Sequence, residues 1–341
     1  MAWASMPSMF QPSVLSTPKR RMPVGQDYKV NCRLLKVCKN HIFTTSRLKI
    51  GMFFYICYIN PIEMKKNLIL FVVLLISTVT WSQKKEKLKA SKIVTISQKE
   101  IGNFDSLEVE DEIDVFIVKG DQPSIEIEAD DNTHESFDIK LNGTTLRIGL
   151  VHNISGAKKT SVRVTYTDEF KMLIAKGDAN VTALADVKLS QVTFKCYDNS
   201  RLFLNADCAN FTLIANDKAK IELNLKSDDV IFELSKNSNL KALIRSSKFK
   251  CDMYQKASAN IEGDINDLQL RMDNNSDFIG KNLVAQTATV IAESSAKNSI
   301  QVASNLVLES SGKAETNLYG NATIEIKRFA DESSLNKKLL K

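Results

Sequence analysis

The chain has 341 residues, 43% of them hydrophobic, with six cysteines and 46 Lys or Arg against 40 Asp or Glu for a formal net charge of +6. That apolar share is enough to bury a sizeable core and excludes a wholly disordered chain. Residues 1–83 hold 11 of the basic and 2 of the acidic residues, so residues 84–341 carry 35 and 38, a net of −3, which removes the main support for a nucleic-acid partner.

Residues 1–63 show no repeat, hold Cys32, Cys38 and Cys57, and carry a Pro-punctuated basic stretch at Lys19, Arg20 and Arg21. Met64-Lys65-Lys66-Asn67 then opens a positively charged start, Leu68 to Val79 is an almost unbroken apolar run, and Thr80-Trp81-Ser82 sets small residues at the first and third places before Gln83. This layout predicts a secretory signal peptide over 64–83. About a dozen apolar residues fall short of the roughly 20 a membrane span requires. On this reading Met64 is the true start and 1–63 is upstream sequence translated in frame. A cytoplasmic extension on an uncleaved signal anchor is the alternative. No cysteine stands near Ser82 to accept a lipid.

Lys84 to Glu100 reads as a charged leader. Alternating apolar and polar residues then predict strands at Phe104 to Val109, Ile113 to Val118, Ser124 to Ala129, Phe137 to Leu141, Thr145 to Leu150 and Ser161 to Tyr166. Lys119-Gly120-Asp121-Gln122-Pro123 is a turn, and Asn142-Gly143 is a hairpin signal. His134-Glu135 falls in a polar loop.

Phe104-Asp105-Ser106-Leu107, the Ile113-Asp114-Val115 strand, the Gly120-Asp121 turn, the Ile125 strand with Glu128-Ala129-Asp130 and Asn132, and Leu146-Arg147-Ile148 together resemble the family called putative auto-transporter adhesin, head GIN domain. The resemblance covers roughly Ile101 to Phe329. It implies a bacterial exported β-helical protein and, by the family's name, adhesion; it supplies no catalytic residues. Family corners are usually Gly-Ser-Gly, whereas here they are Asp-Asn-Ser, Asp-Lys-Ala and Lys-Asn-Ser. A membrane barrel of about 8 or more strands, which an autotransporter needs, is not expected in Ala330 to Lys341.

From Val192 small residues recur every nineteenth position: Ser200, Ala219, Ser238, Ala257, Ser276, Ser295 and Ala314. The first and third places of each block are apolar (Val192 and Phe194, Phe211 and Leu213, Val230 and Phe232, Phe249 and Cys251, Leu268 and Leu270), as in a strand with one buried face. Places seven and eight are turn-like, from Asp198-Asn199 to Asn274-Asn275, and the small residue fits inside the corner. Nineteen residues are too few for a helical hairpin and suit two or three short strands. The fold class is therefore all-β: a parallel β-helix or solenoid of about 19-residue coils, preceded by a short β-meander. Eight coils would stack to a rod on the order of 40 Å. An antiparallel sandwich is the alternative, and sandwiches do not hold such a period. The regular coils are placed at about 192–323, and 330–341 is a basic tail whose charges discourage stacking there, while the meander protects the other end.

The chemistry predicted is sparse. No nucleophile elbow, zinc motif, C-x-x-C, P-loop or dinucleotide fingerprint occurs, so no enzyme, metal or cofactor is expected. The odd count of Cys196, Cys208 and Cys251 argues against a disulfide framework, and Cys251 reads as a buried small hydrophobe. Asp198 and Asp217 share a column in consecutive coils, where they could bind a cation or act as acid and base on a polysaccharide, or simply suit the corner. Asn199, Lys218, Lys256 and Lys313, with Asn237, Asn275 and Ser294, would line one polar outer edge fit for an extended glycan. Three function classes stay open: a surface or periplasmic binding or structural module, which leads; a carbohydrate-active β-helix enzyme using Asp198 and Asp217; and an envelope sensor or accessory protein. Glycans and envelope proteins are the partner classes; the location expected is exported, in the periplasm, at the outer-membrane surface or outside.

Overall fold

A computed structural model describes residues 85–339, so the readings of 1–63 and 64–83 lie outside the described residues. The first half of the described chain forms β1 (Lys87–Lys89), β2 (Val94–Glu100), β3 (Ser106–Val109), β4 (Asp114–Lys119), β5 (Ser124–Asp130), β6 (Phe137–Asn142), β7 (Thr145–Leu150), β8 (Asn153–Ser155) and β9 (Thr160–Tyr166). The second forms β10 (Met172–Ala175), β11 (Asn180–Ala183), β12 (Val187–Cys196), β13 (Arg201–Ala215), β14 (Lys220–Leu234), β15 (Asn239–Met253), β16 (Ser258–Met272), β17 (Asp277–Ala292), β18 (Lys297–Ser310), β19 (Glu315–Tyr319), β20 (Thr323–Phe329) and β21 (Ser334–Lys337). From β10 onward every pairing is parallel, and the result is a β-solenoid of about nine turns.

Each coil turns on one residue with left-handed backbone. Gly177, Asp198, Asp217, Lys236, Gln255, Asn274, Ser294, Gly312 and Asp331 all have φ between 57° and 74°. Two places after each comes a small residue, buried from Ala179 through Ser200 and Ala219 to Ala314. Its N–H closes the turn, as from Ser200 to the carbonyl of Tyr197 at 3.1 Å. The residue between donates to the left-handed residue one coil below, as Lys218 N to Asp198 O at 2.7 Å. A left-handed corner satisfies its own backbone in this way, and only a small side chain fits where the chain turns back into the core.

The coil between corners is one long strand, 15 residues in β13 to β16, and not two or three short ones. It bends where two successive residues face outward, at Ala209-Asn210, Asp228-Asp229, Ser247-Lys248 and Asn266-Asp267, and the ladder skips the first of each pair. The 19-residue register then breaks. A bulge beyond Asn260 makes the next coil 20 residues, and two irregularities in β17 against β18 shorten the one after it to 18. The buried corner residue is consequently Ala296, not Ser295 as the strict period requires; Ser294 is the left-handed residue there.

In four successive coils one phenylalanine fills the interior, alternating between the first and third inward places. Phe194, Phe211, Phe232 and Phe249 follow one another with ring centroids 5.5, 6.2 and 5.0 Å apart. A large ring in one place lies over a smaller residue in the other, so the layers interdigitate. Cys251 is fully buried among them, as expected.

The opening segment is built into the stack. β3 and β4 lie parallel to β10 and β11 on one side and to β7 and β9 on the other. Antiparallel strands then close this end: β6 on β7 through the Asn142-Gly143 hairpin, β5 on β9, and β2 on β5. The supposed charged leader thus contains β2, an edge strand polar enough to face water, and β1, which pairs with β8. His134 sits in a 3₁₀ turn, Asp131–Ser136, rather than a loop. The supposed basic tail at 330–341 contains β21, which with β20 adds a last coil on β18 and β19.

Candidate functional site

The corner column places the residues named from the sequence along one edge, and most are occupied there. Asp198 Oδ2 accepts the N–H of Gly177 at 3.0 Å, locking its coil to the one below. Asp217 Oδ1 lies 2.6 Å from Lys236 Nζ, and that hydrogen bond holds the carboxyl below the ordinary aspartate value. The two carboxylates share the column, as the period predicts, but each serves a corner. Lys313 pairs with Glu332 at 3.3 Å. Asn199, Lys218 and Lys256 are exposed on the same edge, and the two lysines form no ion pair among the described residues.

A different feature runs along the strand bends. There the outer surface is concave, and a groove of about 820 Å³ follows the coils from Lys188 to Gln286. Six coils contribute, spanning roughly 24 Å at the strand spacing. Asp168, Leu189 and Ser190 also line a second recess of about 660 Å³, which carries the groove on toward Asp105 and Lys171.

The floor of the groove is the bend column Cys208, Ser227, Ser246 and Ile265. Ser227 Oγ lies 3.0 Å from the carbonyl of Ala209 and 3.2 Å from that of Asp229. Ser246 Oγ lies 2.7 Å from the carbonyl of Lys248. Ser227 Oγ thus serves the carbonyl of Ala209, and Ser246 Oγ that of Asp228 at 3.4 Å, both residues that the ladder skips. Burial pushes the Cys208 thiol up, so it is a poor nucleophile.

The walls carry charges of both signs: one column reads Lys188, Asp207, Lys226, Arg245 and Asp264 in successive coils. Lys226 pairs with Asp207 at 3.2 Å, and Asp168 at one end pairs with Lys119. Lys188 and Arg245 line the same groove, exposed and without an ion pair among the described residues. Asp228 and Asp264 stand near them. Such a surface offers cations, carboxylates and amides (Asn266, Gln286) to an extended polar chain.

The histidines lie elsewhere. His134 Nε2 is 2.8 Å from Thr95 Oγ1, and His152 Nδ1 is 3.4 Å from Ser136 Oγ, both in the closing layer before β10. Among the described residues no group of His, Cys, Asp and Glu could hold a metal ion. No helix among them is long and apolar enough to cross a membrane.

Sequence reasoning missed the groove because the bend lies inside a run of regular alternation. Its one signal was the repeated pair of outward residues at 209–210, 228–229, 247–248 and 266–267, with a small residue (Cys208, Ser227, Ser246) just before the first three.

The model of a family described as "Putative auto-transporter adhesin, head GIN domain" matches residues 103–322. Three solved structures are similar in fold, each over 74% of this chain. A putative adhesin from Parabacteroides distasonis is 15% identical, with all of its chain covered and a TM-score of 0.58. A putative adhesin from Parabacteroides merdae is 17% identical, 99% covered, with a TM-score of 0.53. A putative lipid binding protein from Parabacteroides distasonis is 14% identical, fully covered, with a TM-score of 0.55. No curated protein matches the chain.

Proposed function

Because the chain belongs to the putative auto-transporter adhesin, head GIN domain family, we propose that it is an exported, non-enzymatic binding module of the cell envelope that holds an extended polysaccharide along its groove. The observation that supports this reading is the continuity of the groove: consecutive coils present charged and amide side chains along one line, at one strand spacing each. A straight polymer meets that line repeatedly, and many weak contacts sum to useful affinity. Lys188 and Arg245 would meet acidic groups on the polymer, and Asp228 and Asp264 its hydroxyls. Asp198 and Asp217 lend less support to an acid and base pair, since each already accepts a hydrogen bond within its corner. The leader at 64–83 supports export.

Affinity electrophoresis of the protein through gels containing a soluble polyuronate or a neutral glucan tests the reading. The polyuronate should retard the protein, and Arg245→Glu with Lys188→Glu should weaken that retardation roughly tenfold. Equal mobility of wild type and variant in both gels would remove the groove from consideration.

A further inference from the structure

We propose that the last coil is the docking site for a second copy of this chain, joined tail to tail across a two-fold axis at Ile326. The two ends of the stack are finished differently. At the front, antiparallel strands cover the first coil. At the back, β20 pairs only with β18, and β21 only with β19. Ile324, Ile326 and Phe329 are 41%, 50% and 46% exposed, although Leu306, Leu308 and Ser310, their counterparts one coil inward, are buried. An end left so exposes apolar core and a row of unpaired backbone groups, and solenoids need such ends covered.

The charges of β20 select the occupant. The strand reads Thr323-Ile324-Glu325-Ile326-Lys327-Arg328-Phe329, with an acid and a base on either side of Ile326. Set antiparallel to itself about Ile326, it places Glu325 opposite Lys327 of the second copy, and the same pair forms again by symmetry. Directly opposite side chains stand about 4.5–5.5 Å apart, close enough to interact. Glu325, Lys327 and Arg328 form no ion pair among the described residues, so these charges are free for the contact. A bulge at Lys327, where the ladder passes from Leu308 with Ile326 to Glu309 with Arg328, releases Lys327 from the coil beneath. It also interrupts any long backbone ladder, so the contact rests on the isoleucines and the two ion pairs. A two-fold contact closes on itself and stops at two chains.

This arrangement does not depend on the groove or its ligand. Sedimentation equilibrium of the full chain tests it, and the expected result is a concentration-dependent mass reaching twice the 38.2 kDa of one chain. Glu325→Lys and Lys327→Glu should each weaken association roughly tenfold, while the two together restore it. Ile326→Lys, which sets two like charges on the axis, should abolish it. These side chains are exposed, so melting curves should stay close to wild type, and rescue by the double exchange separates a broken contact from a broken fold. A single-chain mass at every concentration, a dimer indifferent to these substitutions, or masses growing beyond two chains would each overturn the proposal.

Discussion

The coils of β13 to β16 and those of β17 to β21 are built from the same turn, yet they differ in what they enclose. In the first set the register is 19 residues throughout, a phenylalanine sits in nearly every layer, and the inward polar groups are small serines at the corners and bends, of which Ser238 Oγ has no partner. In the second the coils run 20 and then 18 residues, and Asn298, Thr316 and Ser310 are buried inside. Asn298 Nδ2 donates to Thr316 Oγ1 at 3.0 Å, but Asn298 Oδ1 and Ser310 Oγ are buried without partners. A left-handed corner thus suffices to continue the stack, whereas apolar layers in register make it firm. The coils after Gly280 should open before those ahead of it.

The largest test of that contrast is in the cores. Phe232→Ala should cost about 3–5 kcal/mol in a denaturant titration, and Leu308→Ala about 2–3 kcal/mol, near the low end for a buried leucine. A greater loss at Leu308 would reverse the comparison. Alkali should act on the coil that leads into the firm set, where burial raises the Cys196 thiol of β12 to about 12. The unfolded chain ionises that thiol from about pH 9, so stability falls as pH rises from there toward about 12, by about 1.4 kcal/mol per pH unit. Melting curves of Cys196→Ala at pH 8 and pH 10 should lack that share of the loss.

In the loose coils Asn298→Leu should gain about 1 kcal/mol, since it removes a buried unsatisfied carbonyl. A loss of stability would mean that the Asn298 and Thr316 pair holds this layer. The smallest effect is at the corner itself. Gln255→Gly should gain less than about 1 kcal/mol, because glycine carries no Cβ penalty at φ 61°.

The same contrast explains what could be read from the chain beforehand. Apolar first and third places and a turn at the seventh are legible wherever Val192, Phe211 or Val230 begins a block in register. Past Gly280 the period carries no mark of a bulge, so it points to Ser295 where the structure buries Ala296. β2 and β21 are hidden for another reason: strands at the ends of a stack meet water on much of their surface, so Val94 to Glu100 and Ser334 to Lys337 show no buried alternation. The residues named as a ligand edge fall at the corners, but which of their side chains are spent on neighbouring coils depends on contacts 19 to 21 residues apart. The groove needed the bend, and a bend within continuous alternation shows only once the coils are stacked.

Amide hydrogen exchange, followed by mass spectrometry at concentrations dilute enough to keep the chain single, tests the central contrast most directly. Amides of β14, β15 and β16 should exchange slowest, and those of β18 and β19 markedly faster. Protection as strong in β18 and β19 as in β14 to β16 would contradict the claim that layers in register, rather than the corners alone, make this stack firm.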